Sequence, residues 1–328
     1  MKIGKKAFAG YFNEFANGIN PWSFTPMHGV FDASDLTGLR DAFETYGLVV
    51  IRRMFTPEEN QRFYEAQKAF TGMGDADIRR VMDGEVRPSV GGSPALNDPA
   101  FWPFIVNDVT QRVVREIFGN DPVTEIGTSC GAHYSARGLH RDLPSWYSNA
   151  ETGMSLDGGT ETSLRVLMYP SQRGRVAGSF GVIPFSHRRD IYREKAQEVG
   201  VERPFDWYDR HRDLIKAVRA GGDGAAEAEA ELNEMDNMID WVQVDPGDAV
   251  LLDSRAQHSG DFIIGPRYLF TTTFVRETPY VHGMLSKRWT KNPGKVEAEY
   301  YDFLQSKGLA SDTLIAKAND ALSAKAAA

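Results

Sequence analysis

The residues best suited to chemistry are a His-x-Asp pair, His140 and Asp142, and a distant histidine, His258. His258 lies 116 residues after Asp142, and Arg267 follows nine residues later. Two imidazoles and one carboxylate form the facial triad that binds non-haem Fe(II) and leaves other coordination positions open. A guanidinium pairs with a carboxylate through two parallel hydrogen bonds. We therefore expect Arg267 to bind the far carboxylate of a chelating dicarboxylic co-substrate at a metal centre for oxygen chemistry.

The spacing within the pair suits shared coordination. In extended backbone, residues two apart project to the same side, so His140 and Asp142 can converge on one ion. Taken alone, such a pair occurs by chance in many chains, and the alternative is a surface ion pair with His258 as an incidental loop residue. The ordered set that includes Arg267 favours the metal site, with His258 at a sheet mouth and Arg267 reaching in from the neighbouring strand. By the same alternation, Thr271 shares the face of Arg267 and is expected to assist in binding the carboxylate.

The composition restricts the other chemistries. Cys130 is the only cysteine, which removes thiolate zinc sites, iron–sulfur clusters and an intramolecular disulfide. The formal net charge of −8 and the pI of about 5.5 argue against a nucleic-acid partner, because such proteins present a basic face. No stretch approaches the roughly 18 apolar residues of a membrane span. A cytoplasmic protein with no membrane partner is expected.

The segments on either side of the proposed site are predicted to be helical. We expect one domain over residues 1–328, with an N-terminal helical layer at about 1–120, a β core at about 121–280 and C-terminal helices at about 281–328. Thr56 and Glu59 form the pattern of a capping box at the start of one helix. The other predicted elements are a helix over 34–46 ending at Gly47, a strand over 48–53, a loop over 75–98 and helical structure over 101–118.

The β core is predicted from short runs of β-forming residues separated by turn residues. These runs are 123–135, 162–169, 178–183, 240–244, 247–253 and 267–276. Such punctuation indicates an antiparallel sandwich or barrel. A charged segment at about 186–238 interrupts the runs and is predicted to be helical, either as a solvated helical pair or as a lid over an active site.

Three sequence blocks resemble the phytanoyl-CoA dioxygenase family of Fe(II)- and 2-oxoglutarate-dependent oxygenases. The blocks are Gly138–Asp142 with the aromatic Trp146 behind it, Ala177–His187, and Pro246–Leu252, which leads to the third ligand and the arginine. In the second block Phe185 stands where the family usually has glycine, and His187 is expected to shape the turn after a core strand rather than to bind the metal. The blocks occur in the family's order, and their spacing makes the resemblance fairly specific.

The resemblance implies a mostly β core with flanking helices, folded as a double-stranded β-helix, the cupin-like jelly roll of two facing sheets. It implies that His140, Asp142 and His258 bind Fe(II), and that Arg267 binds the distal carboxylate of 2-oxoglutarate. O2 completes the cofactor set, and the expected reaction is hydroxylation of a small-molecule C–H bond with succinate and CO2 as co-products. Related halogenases replace the carboxylate ligand with a small residue, so Asp142 favours hydroxylation or another oxidation, such as desaturation or rearrangement.

Three further residues are candidates for the substrate pocket. Trp146 and Tyr147 follow the ligand pair, and the alternative for both is simple core packing. Arg165 lies within a predicted apolar strand and needs an anionic partner. That partner is either a substrate carboxylate or phosphate, or a structural Asp or Glu.

Two other interpretations of the whole chain remain open at this level. One is a cupin-like metal-binding or sugar-isomerising protein that does not activate O2, and the other is a degenerate family member kept as a structural module. Cupins usually present more histidines close together, whereas this chain has one pair, one distant histidine and a positioned arginine. The pattern therefore favours the oxygenase, with a small free metabolite as its substrate.

Overall fold

Two β-sheets form the centre of the molecule. The computed structural model describes residues 29–73, 89–92, 98–133, 137–140, 162–170, 180–183, 186–187, 213–214, 216–218, 220–236, 239–242, 244–260, 267–291 and 298–327. The strands in these ranges are β1 (Gly29–Asp32), β2 (Leu48–Arg52), β3 (Ser89–Gly92), β4 (Val123–His133), β5 (Arg137–His140), β6 (Ser163–Met168), β7 (Phe180–Val182), β8 (Asp240–Val242), β9 (Ala249–Asp253), β10 (His258–Gly260) and β11 (Arg267–Arg276). The large sheet has the order β1-β2-β9-β6-β11-β4-β3, and the small sheet has the order β5-β10-β7-β8.

The path of the chain through the two sheets identifies the fold. Strands β4 to β11 alternate between the large and the small sheet, except that β7 and β8 are both in the small one. Neighbours among these eight strands pair antiparallel, whereas β1 pairs parallel with β2 at the sheet edge. Two facing antiparallel sheets with this alternation are a jelly roll. The predicted double-stranded β-helix is confirmed, and each predicted strand run contains one of its strands.

Four short strands were not predicted, namely β1, β3, β5 and β10. Each has only three or four residues and, unlike β7 and β8, does not lie within a longer run of β-forming residues. The prediction of a loop over 75–98 is wrong at β3, which pairs with β4 from Ser89 to Gly92. Strand β3 forms along the edge of the longer strand β4, whereas β5 and β10 form by pairing with each other.

Helices cover one side of the large sheet. In the N-terminal layer they are α1 (Leu39–Tyr46), α2 (Pro57–Thr71), α3 (Trp102–Ile105) and α4 (Asp108–Phe118). The predicted capping box of α2 is confirmed, since Thr56 Oγ1 accepts from the Glu59 N–H at 3.2 Å and the Glu59 carboxylate accepts from the Thr56 N–H at 2.8 Å.

Two predicted helices differ from the structure for local reasons. The helix predicted over 34–46 starts only at Leu39, because the carboxylate of Asp35 accepts from the Thr37 N–H at 3.0 Å and holds a turn there. The stretch 101–118 is broken between α3 and α4, where Asn107 caps α4 by accepting from the Thr110 N–H at 2.8 Å. Gly47 ends α1 with a φ of 75°, as predicted.

The remaining helices confirm the predicted helical character of two segments. Helix α5 (Ala225–Asp236) lies in the charged insertion, and α6 (Pro279–Lys291), α7 (Ala298–Ser306) and α8 (Asp312–Ala327) form the C-terminal layer. None of the helices in the described part of the chain has the length and apolar character that crossing a bilayer requires.

The large sheet separates two apolar cores. On its helix side, side chains of alternate strand residues pack with the helices, among them Leu164, Val166, Met168, Phe270 and Phe274. On its other face the sheet packs against the small sheet through Leu167, Val250, Leu252, Phe180 and Val182. We call this second region the inter-sheet space.

Candidate metal centre

Two of the predicted metal ligands lie opposite each other on neighbouring strands. His258 in β10 is the direct partner of His140 in β5, and on its other side it is the partner of Val182 in β7. Directly opposed residues of antiparallel strands share one face of the sheet, with Cβ atoms about 4.5–5.5 Å apart. Val182 packs in the inter-sheet core. Positions 140 and 258 therefore face the inter-sheet space as neighbours.

The surroundings of His258 select one tautomer of its imidazole. The residue is 4% exposed, and its ring centroid lies 5.2 Å from that of Phe180. Its Nδ1 is 3.0 Å from the carbonyl oxygen of Ala256. Because a carbonyl can only accept, Nδ1 is the donor, and in the neutral ring the lone pair is on Nε2. An imidazole held in this way fits a metal ligand that coordinates through Nε2.

Several predicted site residues lie outside the described residues. These are Asp142, Trp146 and Tyr147, together with the side chains of His140 and Arg267. Within the described residues, no group of three or more His, Cys, Asp or Glu side chains is placed to hold a metal ion. The assignment of the three ligands stays a prediction, and the opposed histidine positions agree with it.

Arg267 begins β11, where it is the partner of His133 in β4. The sequence interpretation placed Arg267 on a strand adjacent to that of His258, and this is wrong. The neighbours of β11 are β4 and β6 in the large sheet, whereas β10 belongs to the small sheet. The chain crosses from one sheet to the other between these two strands, so the arginine position and the histidine position face each other across the inter-sheet space instead of lying side by side.

Arg165 and Thr271 form a polar contact on the inner face of the large sheet. Strands β6 and β11 are neighbours, and Thr271 is the partner of Leu167, which packs between the sheets. Arg165 Nη2 donates to Thr271 Oγ1 at 3.2 Å, and Thr271 is 2% exposed. Since a guanidinium can only donate, the hydroxyl accepts and its own proton can be donated to a further acceptor. The contact suits an anionic group in the inter-sheet space.

The third sequence block has a structural role. Asp248 is buried and accepts from the N–H groups of Arg53 and Asp245, each at 2.9 Å, and it forms an ion pair with Arg52. Gly247 has a φ of 98°, and a Cβ there would lie 2.9 Å from the carbonyl oxygen of Phe55. The block fixes the turn that leads into β9.

The second sequence block connects α1 to the segment that carries His258. His187 is buried, and its Nε2 lies 3.0 Å from the carbonyl oxygen of Glu44 in α1. Its neighbour Ser186 accepts a hydrogen bond from the Gln257 N–H at 2.7 Å. Sequence reasoning assigned His187 to this turn but missed Ser186. The only available signal was its place in the same motif.

A buried carboxyl group lies at the helix-covered side of the large sheet. Glu125 is 4% exposed, and it accepts a hydrogen bond from the Tyr300 hydroxyl at 2.8 Å and another from the Gly127 N–H. Burial raises the pKa of Glu125 to about 7, although these hydrogen bonds and the Arg288 guanidinium oppose the shift. The group joins β4 to α7 and is separate from the inter-sheet space.

The family model described as phytanoyl-CoA dioxygenase matches residues 43–261, a segment that contains the three predicted ligands and ends before Arg267. Among solved structures, the chain is similar to the non-haem α-ketoglutarate-dependent epimerase SnoN from nogalamycin biosynthesis, with 13% identity, a TM-score of 0.45, and coverage of 74% of this chain and 84% of that one. It is also similar to HygX from Streptomyces hygroscopicus with nickel and 2-oxoglutarate bound, with 19% identity, a TM-score of 0.44, and coverage of 71% and 83%. Among curated proteins, none matches the chain significantly.

Proposed function

This chain belongs to the phytanoyl-CoA dioxygenase family, and on that premise we propose that it is an Fe(II)- and 2-oxoglutarate-dependent dioxygenase. The family uses Fe(II), 2-oxoglutarate and O2. The proposed reaction is oxidation, and specifically hydroxylation, of a C–H bond in a small-molecule metabolite. Succinate and CO2 are the co-products.

The observation that carries the proposal is the opposed position of two histidines in the small sheet. His140 and His258 are direct cross-strand partners, although 117 residues separate them in the sequence. Asp142 follows two residues after His140, and in this proposal it supplies the carboxylate of the facial triad. The bond from His258 Nδ1 to Ala256 fixes the ring so that Nε2 coordinates the metal.

The large sheet supplies the groups that bind the co-substrate. In the proposal, Arg267 pairs with the distal carboxylate of 2-oxoglutarate, and Thr271 donates its hydroxyl proton to the same carboxylate. The guanidinium of Arg165 donates to Thr271 Oγ1, so it directs that proton toward the ligand and adds positive charge near it. Arg165, Trp146 and Tyr147 are the proposed substrate contacts.

The fold also provides a water-poor setting for the reaction. When bound, Fe(II) supplies the activation of O2 that converts 2-oxoglutarate to succinate and CO2 and oxidises the substrate. Phe180 and Val182 beside His258 are buried apolar side chains. Their packing excludes water from one side of the proposed centre and strengthens the polar contacts there.

The test is the formation of succinate from 2-oxoglutarate by the full-length protein with Fe(II) and O2. We expect succinate formation by the wild type and none by Asp142→Ala. Asp245→Ala is the matched control, since Asp245 is exposed on the turn before β9 and should retain wild-type turnover. A library of small metabolites is then screened for compounds that accelerate succinate formation and appear oxidised by mass spectrometry.

The same assay separates the competing functions. A cupin-like protein that binds metal without activating O2 would form no succinate in either variant or in the wild type. Equal turnover by the wild type and Asp142→Ala would reject Asp142 as a ligand.

A further inference from the structure

The turn that contains Ser186 holds the backbone next to His258. Ser186 is 1% exposed, and its hydroxyl donates to the Ile183 carbonyl oxygen at 2.7 Å. The Ser186 Oγ also accepts a hydrogen bond from the Gln257 N–H at 2.7 Å. In return, the Ile183 N–H donates to the Gln257 carbonyl at 2.8 Å. Both backbone polar groups of the residue that precedes His258 are therefore bound by this turn.

One peptide unit links Ser186 to the imidazole. The N–H of Gln257 donates to the Ser186 hydroxyl, and the carbonyl of Ala256 accepts from His258 Nδ1. This N–H and this carbonyl belong to the same peptide, between Ala256 and Gln257. A peptide is planar, so fixing the direction of its N–H also fixes the direction of its C=O. Hydrogen bonds at both ends of one peptide also polarise each other and become stronger.

The turn itself has a firm anchor. His187 Nε2 lies 3.0 Å from the Glu44 carbonyl at the end of α1. A side chain at Gly47 would collide with the His187 ring, so helix and turn are in direct contact. The Ser186 hydroxyl is thus presented from a packed part of the fold.

We propose that Ser186 is a positioning residue for His258 and acts through the Ala256–Gln257 peptide. The inference rests on the proposed function, in which His258 is a metal ligand. Without the Ser186 hydroxyl, the peptide plane can rotate, the Ala256 carbonyl turns away from Nδ1, and the imidazole loses its fixed tautomer and orientation. The affinity for the metal is therefore lowered, because groups that orient a metal ligand tune the affinity of the site for the metal.

The experiment compares Ser186→Ala, Ser186→Thr and Ser311→Ala in the full-length protein. Ser311 is a matched control, because its hydroxyl also accepts from a backbone N–H, that of Leu314 at 3.2 Å, and donates to an oxygen, that of Glu277. It caps α8 in the C-terminal layer. Mn(II) affinity is measured by electron paramagnetic resonance in the presence of 2-oxoglutarate, and thermal stability is measured alongside.

We expect Ser186→Ala to weaken Mn(II) binding about tenfold, Ser186→Thr to restore most of the affinity, and Ser311→Ala to lower the melting temperature without changing the affinity. A second readout does not depend on metal. The Nδ1 proton of His258 in protein labelled with 15N-histidine should give a protected low-field NMR signal in the wild type that is lost in Ser186→Ala. If Ser186→Ala does not fold, Ser186→Cys takes its place with the same criteria, because a thiol is a weak donor and acceptor.

The outcomes separate this inference from the proposed function. If the wild type binds Mn(II) and Ser186→Ala binds it equally well, with only a lower melting temperature, Ser186 is merely structural and the inference is rejected. If the wild type binds no Mn(II), the proposed function fails and the inference fails with it. Loss of affinity and of the Nδ1 signal in Ser186→Ala alone supports the positioning role.

Discussion

The two faces of the large sheet are built from the same strands but differ in chemistry. On the helix side, β6 and β11 present a mainly apolar surface to the helices, with Leu164, Val166 and Phe270 fully buried and Thr272 as a buried polar residue among them. On the inter-sheet side, the alternate positions of the same strands include Arg165 and Thr271, which bond to each other. The inter-sheet face of β6 therefore carries a guanidinium where the helix face of the same strand carries none.

The difference shows where this fold can bind a ligand. A buried guanidinium or hydroxyl costs free energy unless it is hydrogen-bonded, so polar residues at core positions need a partner in the protein or in a ligand. On the helix side the buried carboxyl of Glu125 is bound by Tyr300 of the protein itself. On the inter-sheet side Arg165 and Thr271 face the same space as His258, and there a bound co-substrate is the proposed partner.

The largest expected effect comes from removing the proposed metal ligand His258 on the inter-sheet side. His258→Ala should abolish succinate formation, because two ligands of a facial triad no longer hold the ion in place. Its melting temperature without metal should stay close to that of the wild type. His282→Ala on α6 is the control, since His282 bonds to Glu277 at 2.9 Å, beyond the end of β11 that is opposite to Arg267. Succinate formation by His258→Ala at the wild-type rate would show that His258 is not a metal ligand and that the inter-sheet side does not hold the metal centre.

A substitution in the apolar core on the helix side of the large sheet should lower stability rather than succinate formation. Phe270 is completely buried in β11 and stacks at 6.0 Å with Phe101. Phe270→Ala should lower the free energy of unfolding by about 3–5 kcal/mol, because it leaves a cavity in the packed core. Denaturant unfolding followed by circular dichroism measures the effect. Phe70→Ala, at a ring that is 42% exposed, should cost much less, and equal losses in the two variants would show that the core is not packed as described.

The buried carboxyl on the helix side predicts a pH dependence of stability. The pKa of Glu125 is raised to about 7 in the fold by burial, against an ordinary value of 4.5. Between these pH values the unfolded chain ionises Glu125 while the folded chain keeps its proton, so the contribution of Glu125 to stability is fully present below pH 4.5 and is lost as the pH rises through about 7. The contribution that is lost is about 3 kcal/mol.

Glu125→Gln tests this dependence, since it keeps an oxygen acceptor without an ionisable proton. The free energy of unfolding is measured from pH 4.5 to 8. The stability of the variant relative to that of the wild type should increase as the pH rises. Glu116→Gln, at an exposed position of α4, should follow the wild type. A constant difference between Glu125→Gln and the wild type at every pH would reject the raised pKa.

The smallest expected effect sharpens the role of the inner face. Thr271→Val keeps the shape of the side chain but removes the hydroxyl that accepts from Arg165. It should raise the KM for 2-oxoglutarate about tenfold, which corresponds to a hydrogen bond to a charged group of about 1.5 kcal/mol, and leave kcat nearly unchanged. Thr273→Val, on the same face two residues along, is the control. An unchanged KM in Thr271→Val would remove Thr271 from the co-substrate site.

Local chemistry made part of this fold predictable. The capping box at Thr56 and the end of α1 at Gly47 were predicted because they depend on residues a few positions apart. Strands such as β6, β9 and β11 were predicted because they are long or apolar enough to show β character in the sequence. Strands β5 and β10 were not, because they are short and, unlike β7 and β8, do not lie within a longer run of β-forming residues.

The types of the proposed ligands, their order, and membership in a family that uses Fe(II) and 2-oxoglutarate follow from the amino-acid sequence. The three-dimensional arrangement was needed to show that His258 lies opposite His140, that Arg267 belongs to the facing sheet, and that the Ala256–Gln257 peptide connects Ser186 to the imidazole. The reason is physical. Side-chain chemistry and spacing are local properties of a chain, whereas strand register and the passage between two sheets are set by the simultaneous packing of segments that are distant in sequence.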